Sequence, residues 1–178
     1  AESGNRLQRM MRARARPKIL LSTNYERALE DCETYQESIM GVFSDMNFPK
    51  GGKHSQMAGR DLALAIKEMV PDVPIALQSS YESNEAVAKA LGVGFLLKRS
   101  PDFLGQLRLY LSEHLFFGDF IFRSASGKEL DRAPNLKTLV QKLRTVPEES
   151  ISFHAQRHDF SRWLRARAEF GLAGELRP

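Results

Sequence analysis

Apolar residues along the 178-residue chain fall in short runs separated by longer amphipathic stretches. The runs at Val42–Phe43, Ile75–Leu77 and Phe95–Leu97 are continuous rather than alternating, as in strands covered on both faces of a parallel sheet. Lys18–Leu21 reads as a further short apolar strand. Helical spacing fills the intervals. Ala28, Leu29, Cys32 and Tyr35 follow a capping Asn24; Leu62, Leu64, Ile66 and Met69 mark a helix closed by Pro71; Ala86, Val87 and Ala90 mark one ended by Gly92. Pro101 opens a fourth helix with Leu104, Leu107, Leu111 and Leu115 on one face. Residues 5–16 (NRLQRMMRARAR) hold helix formers up to Pro17 and read as the end of a helix. Pro49, Gly51 and Gly52 break regular structure, so Lys50–Gln56 reads as a polar loop. Strands alternating with helices predict an α/β fold, a doubly wound parallel sheet.

After Phe117 the pattern changes. Phe120–Arg123 and Lys128–Leu130 flank a Ser-Ala-Ser-Gly turn and predict a β-hairpin. A helical extension follows, with Pro147 in a first turn and Phe160, Trp163, Leu164 and Phe170 as its core stripe. The expected organisation is thus a helix end at 1–17, an α/β domain at 18–116, and a hairpin with helices at 117–178.

Composition narrows the function classes. No apolar run approaches the ~20 residues that span a bilayer, and the basic start lacks the apolar core of a secretory signal. The single Cys32 excludes an internal disulfide framework and predicts a cytoplasmic setting. The formal charge of +4 divides into +4 over residues 1–17, −3 over 18–116 and +3 over 117–178. A mildly acidic centre argues against nucleic-acid binding, which needs a basic stripe on the folded face. Arg12, Arg14, Arg16, Arg162, Arg165 and Arg167 read instead as solvated helix faces whose stems cover apolar surface. His154 and His158, four apart, would share a helix face, but no third ligand stands at zinc spacing, so both read as packing or surface residues. His54 reads as a surface residue, in a glycine-rich stretch that lacks the phosphate-loop pattern.

Three consecutive strands end on Asp45, Ser79 and Lys98. A carboxylate is a competent nucleophile toward phosphorus, and the phosphoryl oxygens then need a cation and a hydroxyl donor. The segments VFSDMNFP (proline four residues past Asp45), PIALQSS and GVGFLLKRSP carry these residues. In them the chain resembles the receiver domain of bacterial two-component response regulators, over roughly residues 5–116. The resemblance implies a flavodoxin-like sheet in which Asp45 is the phosphoacceptor and Ser79 and Lys98 contact the phosphoryl group. It also implies Ser79 and Phe95 as a switch pair, and Mg²⁺ held by Asp45 and the backbone carbonyl of Asn47. A histidine kinase or phosphotransfer protein would be the partner, with a homodimer as a further assembly.

The sequence departs from the receiver pattern in three places. Arg99 stands where the family has a proline after its lysine, the loop after Pro49 is longer, and the metal-binding acidic pair is absent. Lys18–Leu21 ends on Ser22, Thr23 and Asn24 instead. Between Ser22 and Asp45 there is room for one helix and one strand, since a βαβ unit takes about 30 residues. Lys18–Leu21 is therefore read as the second receiver strand and residues 5–16 as the end of the first helix. The first strand and its acidic pair would lie upstream of Ala1; the alternative is a degenerate receiver that lost one strand–helix unit.

The tail (GDFIFRSASGKEL, RAPNLKTLVQKL, VPEESISFHAQRHDFSRWLRARAEFGLA) resembles a segment beside receiver-like regions in large bacterial proteins. Those proteins continue into a nucleotide-binding domain of the pyruvate phosphate dikinase or phosphoenolpyruvate synthase type. That downstream domain is an expected partner, and any kinase or synthase chemistry would lie there. The expected function is a phosphorelay signalling module that switches the face formed by Glu82–Leu91, Phe95–Leu97 and the helix after Pro101. The alternative is a phosphorylation-independent scaffold within a larger phosphoenolpyruvate- or pyruvate-binding protein, and a nucleic-acid binder working through the Arg-rich flanks is the less favoured third reading.

Overall fold

The structure, a computed structural model, describes residues 18–176. The chain forms two compact units, Ile19–Tyr110 and the part from Leu111 onward. The helix end expected at residues 5–16 lies outside the described residues.

In the first unit, α1 (Tyr25–Thr34) is capped as its sequence predicts, Asn24 Oδ1 accepting from Arg27 N at 2.8 Å. Then come β1 (Val42–Asp45), β2 (Phe48–Lys50), β3 (Lys53–Ser55), α2 (Ala58–Met69), β4 (Ile75–Ser79) and a 3₁₀ turn (Glu82–Asn84). The unit continues with α3 (Glu85–Leu91), β5 (Gly94–Leu97) and α4 (Phe103–Glu113), the last running into the second unit. β1, β4 and β5 form a parallel three-stranded sheet in that order, with Val42 opposite Ile75, Asp45 opposite Gln78 and Ser79 opposite Leu97. This is the mixed α/β architecture that the alternation of patterns predicts.

Register partners share a sheet face, and successive residues alternate between faces. Val42, Ile75, Leu77 and Phe95 accordingly pack with Cys32 of α1, Leu62, Ala63 and Ile66 of α2 and Ala88 of α3. Phe43, Ala76 and Gly94 face the other way, toward Tyr110 of α4. Its ring meets Phe43 edge-on, centroids 5.5 Å apart. Glycine is required at position 94, because a Cβ there would lie 2.3 Å from the Tyr110 ring.

Several expectations are corrected. Lys18–Leu21 is not a strand: the segment carries no strand pairing, with Ile19 92% and Leu21 86% exposed. Apolar character alone does not make a strand, whose backbone groups need a neighbour to bond, and among the described residues β1 pairs with β4 alone. The polar loop after Pro49 is instead an antiparallel hairpin, β2–β3, turning on Gly51 and Gly52 at φ 61° and 74°. A two-residue turn with both central residues at positive φ matches the right-handed strand twist. In α3 the buried residue is Ala88, not Ala86 or Ala90. On α4 Tyr110 is buried while Leu104 is 72% exposed.

The second unit holds β6 (Phe120–Arg123) and β7 (Glu129–Ala133) as the expected antiparallel hairpin. It continues with α5 (Leu136–Lys142), α6 (Glu148–Gln156), α7 (Asp159–Arg165) and α8 (Phe170–Glu175). Phe120, Phe122, Leu139, Trp163 and Leu164 form its core, and Phe120 stacks on Phe160 at 4.7 Å; Phe170 is exposed, against expectation. His154 is buried with both ring nitrogens engaged, Nδ1 with Asp159 Oδ2 at 2.7 Å and Nε2 accepting from Arg123 N at 2.8 Å. It is thus a packing residue, as read from the sequence. Arg167 lies 3.5 Å from the Trp163 ring and donates to the Phe116 and Gly118 carbonyls. Burial pushes its guanidinium down to about 10, so it stays charged at neutral pH.

Candidate functional site

The carboxyl ends of three neighbouring parallel strands form one edge of the first unit's sheet, where open α/β folds place their ligands. Asp45 ends β1, Ser79 ends β4 and Lys98 follows β5. Lys98 Nζ donates to Asp45 Oδ2, so the cation and carboxylate read from the sequence do meet. Both side chains are partly exposed, Asp45 at 43% and Lys98 at 38%, which leaves the pair open to a ligand from solvent. The second carboxylate oxygen, Oδ1, accepts from Met46 N at 3.0 Å.

The first turn of α2 lies directly behind Asp45. Gly59 N donates to Met46 O at 3.1 Å, and a Cβ on Gly59 would lie 2.1 Å from the Asp45 carbonyl oxygen. A side chain at position 59 would therefore displace the strand tip. The sequence signal for this was a glycine placed inside an otherwise helical stretch.

Ser79 is fixed from two sides. Its carbonyl accepts from Lys98 N at 2.8 Å, and its buried hydroxyl accepts from Tyr81 N at 3.1 Å and Asn84 Nδ2 at 2.8 Å. Its side chain is thus engaged by the turn that follows β4, while Lys98 holds Asp45. The Asn84 contact with Ser79 has no signal in the sequence, since no local pattern marks a side chain that reaches back five positions. Phe95, the expected switch partner of Ser79, is half-buried and packs against the core on the face that carries Leu77.

The β2–β3 hairpin begins three residues past Asp45 and is tied down on three sides. His54 Nδ1 bonds Asn47 Oδ1 at 2.7 Å, Gly51 N donates to Glu26 Oε1 at 2.7 Å, and Lys50 Nζ donates to Asp61 Oδ2 at 2.6 Å. The Lys50 hydrogen bond, with help from Arg60, holds the Asp61 carboxyl below the usual range, and the Gly51 N–H does the same for Glu26.

The described residues do not fit a magnesium site. Asp45 already accepts Lys98 and a backbone N–H, and no group of three or more His, Cys, Asp or Glu residues that could hold a metal ion occurs among the described residues. A single carboxylate paired to an ammonium is a poor ligand for an ion that demands several hard oxygens. No helix among the described residues is long and apolar enough to cross a membrane. Comparison with protein-family models, curated proteins and solved structures finds no match.

Proposed function

We propose that the first unit is a doubly wound, receiver-like phosphoacceptor domain, acting in the cytoplasm within a phosphorelay. The contact between Lys98 and Asp45 at the tip of a parallel sheet carries this reading. An Asp45 carboxylate oxygen attacks phosphorus and forms a P–O bond. The bond from phosphorus to the donor breaks, and the donor leaves with the electron pair. The Lys98 ammonium then turns from the carboxylate to the phosphoryl oxygens, where fixed charge stabilises the transferring group. A phosphohistidine of a kinase or phosphotransfer protein is the proposed physiological donor. The new dianion shifts Ser79 and Phe95, and with them the face built by α3, β5 and α4, where a downstream domain or a second copy would read it.

A second reading is favoured by the direct Lys98–Asp45 ion pair, which already engages the carboxylate. In it the unit is a phosphorylation-independent scaffold of a larger phosphoenolpyruvate- or pyruvate-binding protein, and Lys98–Asp45 is a structural strut. Incubation with acetyl phosphate, with and without Mg²⁺, followed by intact mass separates the two. The phosphoacceptor reading expects the gain of one phosphoryl group, abolished in Asp45→Asn. No gain in either condition supports the scaffold.

A further inference from the structure

A cleft of about 140 Å³ opens within the second unit, and every residue that lines it belongs to that unit. Phe116, Ile121 and Phe153 are its apolar lining, so an oily guest finds little to bury against. Three carboxylates and three guanidiniums share the remainder with two imidazoles, and they differ in how far each is already engaged. Glu113 accepts from Arg123 Nη2 at 3.1 Å, and Arg123 Nη1 donates to the Gly127 carbonyl, so both ends of that pair are occupied. Asp159 and His154, 5% and 4% exposed, bond each other at 2.7 Å. Asp119 stands within electrostatic range of Arg132 and Arg167, cations outside the lining. Arg157 differs from all of these. Its guanidinium lies over the Phe153 ring, 5.1 Å from the centroid, and nears Asp159 only through Nε at 3.6 Å, beyond hydrogen-bond range. The ring contact holds the cation without consuming any of its five N–H donors.

We infer that this cleft is a binding site for a small oxyanion, taken by the guanidinium of Arg157 with His114 and Arg162 beside it. Carboxylates and phosphoryl groups share the required chemistry, two oxygens spaced to accept two parallel N–H bonds from one guanidinium. His114 gives the site a second property. Desolvation, together with the Arg157 and Arg162 charges, holds its ring below the ordinary 6.5, against the pull of Glu113 and Asp159. An anion seated among these groups adds negative charge beside the ring and favours its protonated form, so the site takes up a proton as it fills. By linkage, affinity rises as pH falls through the bound-state value of His114 and levels off below its free value. The inference does not depend on phosphoryl transfer to Asp45, since all of its residues lie in the second unit.

The test follows the ring signals of His114 by NMR in the full chain, assigned by their loss in His114→Gln. Sulfate stands for a phosphoryl group, with a charge that stays constant between roughly pH 5 and pH 8, and acetate stands for a carboxylate. Sodium chloride keeps the ionic strength fixed, so screening does not change as either anion is added. At least one of the two should shift the His114 signals saturably, and the tighter binder identifies the ligand as phosphoryl or carboxylate in type. The His114 titration midpoint should move upward when that anion saturates the site. Arg157→Gln should weaken binding on the order of 10-fold, the worth of a charge-assisted hydrogen bond. Its side chain is 60% exposed, so the fold should hold, as thermal melting will show. Arg157→Lys, which keeps the charge but loses the fork, should fall between. Arg144→Gln, an exposed arginine outside the cleft, should bind as wild type does. The inference is overturned if neither anion gives a saturable shift, if the midpoint stays where it was, or if Arg157→Gln and Arg144→Gln behave alike.

Discussion

The ammonium of Lys98 reaches the carboxylate of Asp45 although β4 lies between the strands that carry them. Strands stand ~4.8 Å apart, so the bond bridges about two spacings, within reach of the lysine stem. A partly exposed pair of this kind adds little to folding. Lys98→Met should therefore change stability in urea by less than about 1 kcal/mol. The same change should slow phosphoryl uptake on the order of 100-fold, since it removes the fixed positive charge at the transferring group. A large stability loss would instead mark the pair as a strut.

Gly59 sets how closely α2 approaches the strand tip. A Cβ there would lie 2.1 Å from Asp45 O and 2.9 Å from Met46 Cα, both backbone atoms that cannot rotate away. Gly59→Ala should cost about 1–3 kcal/mol through overpacking, read as a shifted urea midpoint. On the phosphoacceptor reading it should also slow Asp45 labelling, because it displaces the proposed acceptor. Gly171→Ala, where a Cβ in a helix meets nothing within 4 Å, is the matched control: it should leave labelling unchanged and stability no lower than wild type.

The sheet was legible because burial on two faces writes itself as unbroken apolar runs, and the strand-end positions of Asp45, Ser79 and Lys98 were legible because polar residues follow such runs, though only Lys98 and Asp45 meet. The errors have separate physical origins. Lys18–Leu21 has strand composition, but a strand is defined by its neighbour, and neighbours are not written locally. Pro49 looked like a breaker, yet in the two-stranded hairpin a missing N–H on an edge is tolerated. Winding begins after Tyr81 as a 3₁₀ turn, which rotates α3 so that Ala88 faces inward. Tyr110 displaces the leucine stripe because Gly94, far off in sequence, leaves the space its ring occupies. The Asn84 contact with Ser79 was invisible for a related reason, since it exists only once the turn has closed.

The buried pair His154–Asp159 ties α6 to α7, and the same imidazole receives the Arg123 N–H from β6. Removing one partner strands the other away from water. Asp159→Ala should cost about 3–5 kcal/mol in urea unfolding of the full chain. His154→Phe fills the space but leaves the Arg123 N–H without its acceptor and Asp159 with only Arg157, 3.6 Å away, and should cost about 2–4 kcal/mol. Because both ring nitrogens are engaged, added Zn²⁺ should leave the wild-type melting temperature unchanged. A zinc-dependent rise would show that the ring is free to ligate.

The β2–β3 hairpin is held by charge, so its stability should follow pH in a stated direction. The Lys50 hydrogen bond lowers Asp61 from its ordinary 3.8, and the Gly51 N–H lowers Glu26 from 4.5. A carboxylate depressed in the folded state binds protons less readily than in the unfolded chain. Its contribution is complete above the ordinary value and is lost as pH falls through the depressed one. Lys50 is raised from 10.5 by the same Asp61 bond, so its contribution is complete below that value and is lost as pH climbs through the raised one. Amide-exchange protection across Phe48–Ser55, corrected for intrinsic rates, should therefore be flat between roughly pH 5 and pH 10 and fall on both sides. Asp61→Asn should lower the plateau and blunt the alkaline limb, while the acid limb from Glu26 persists. High salt should weaken Lys50–Asp61 more than the Gly51–Glu26 hydrogen bond, because the ion pair is partly exposed and screened. Identical profiles for wild type and Asp61→Asn would show that packing, not charge, holds the hairpin.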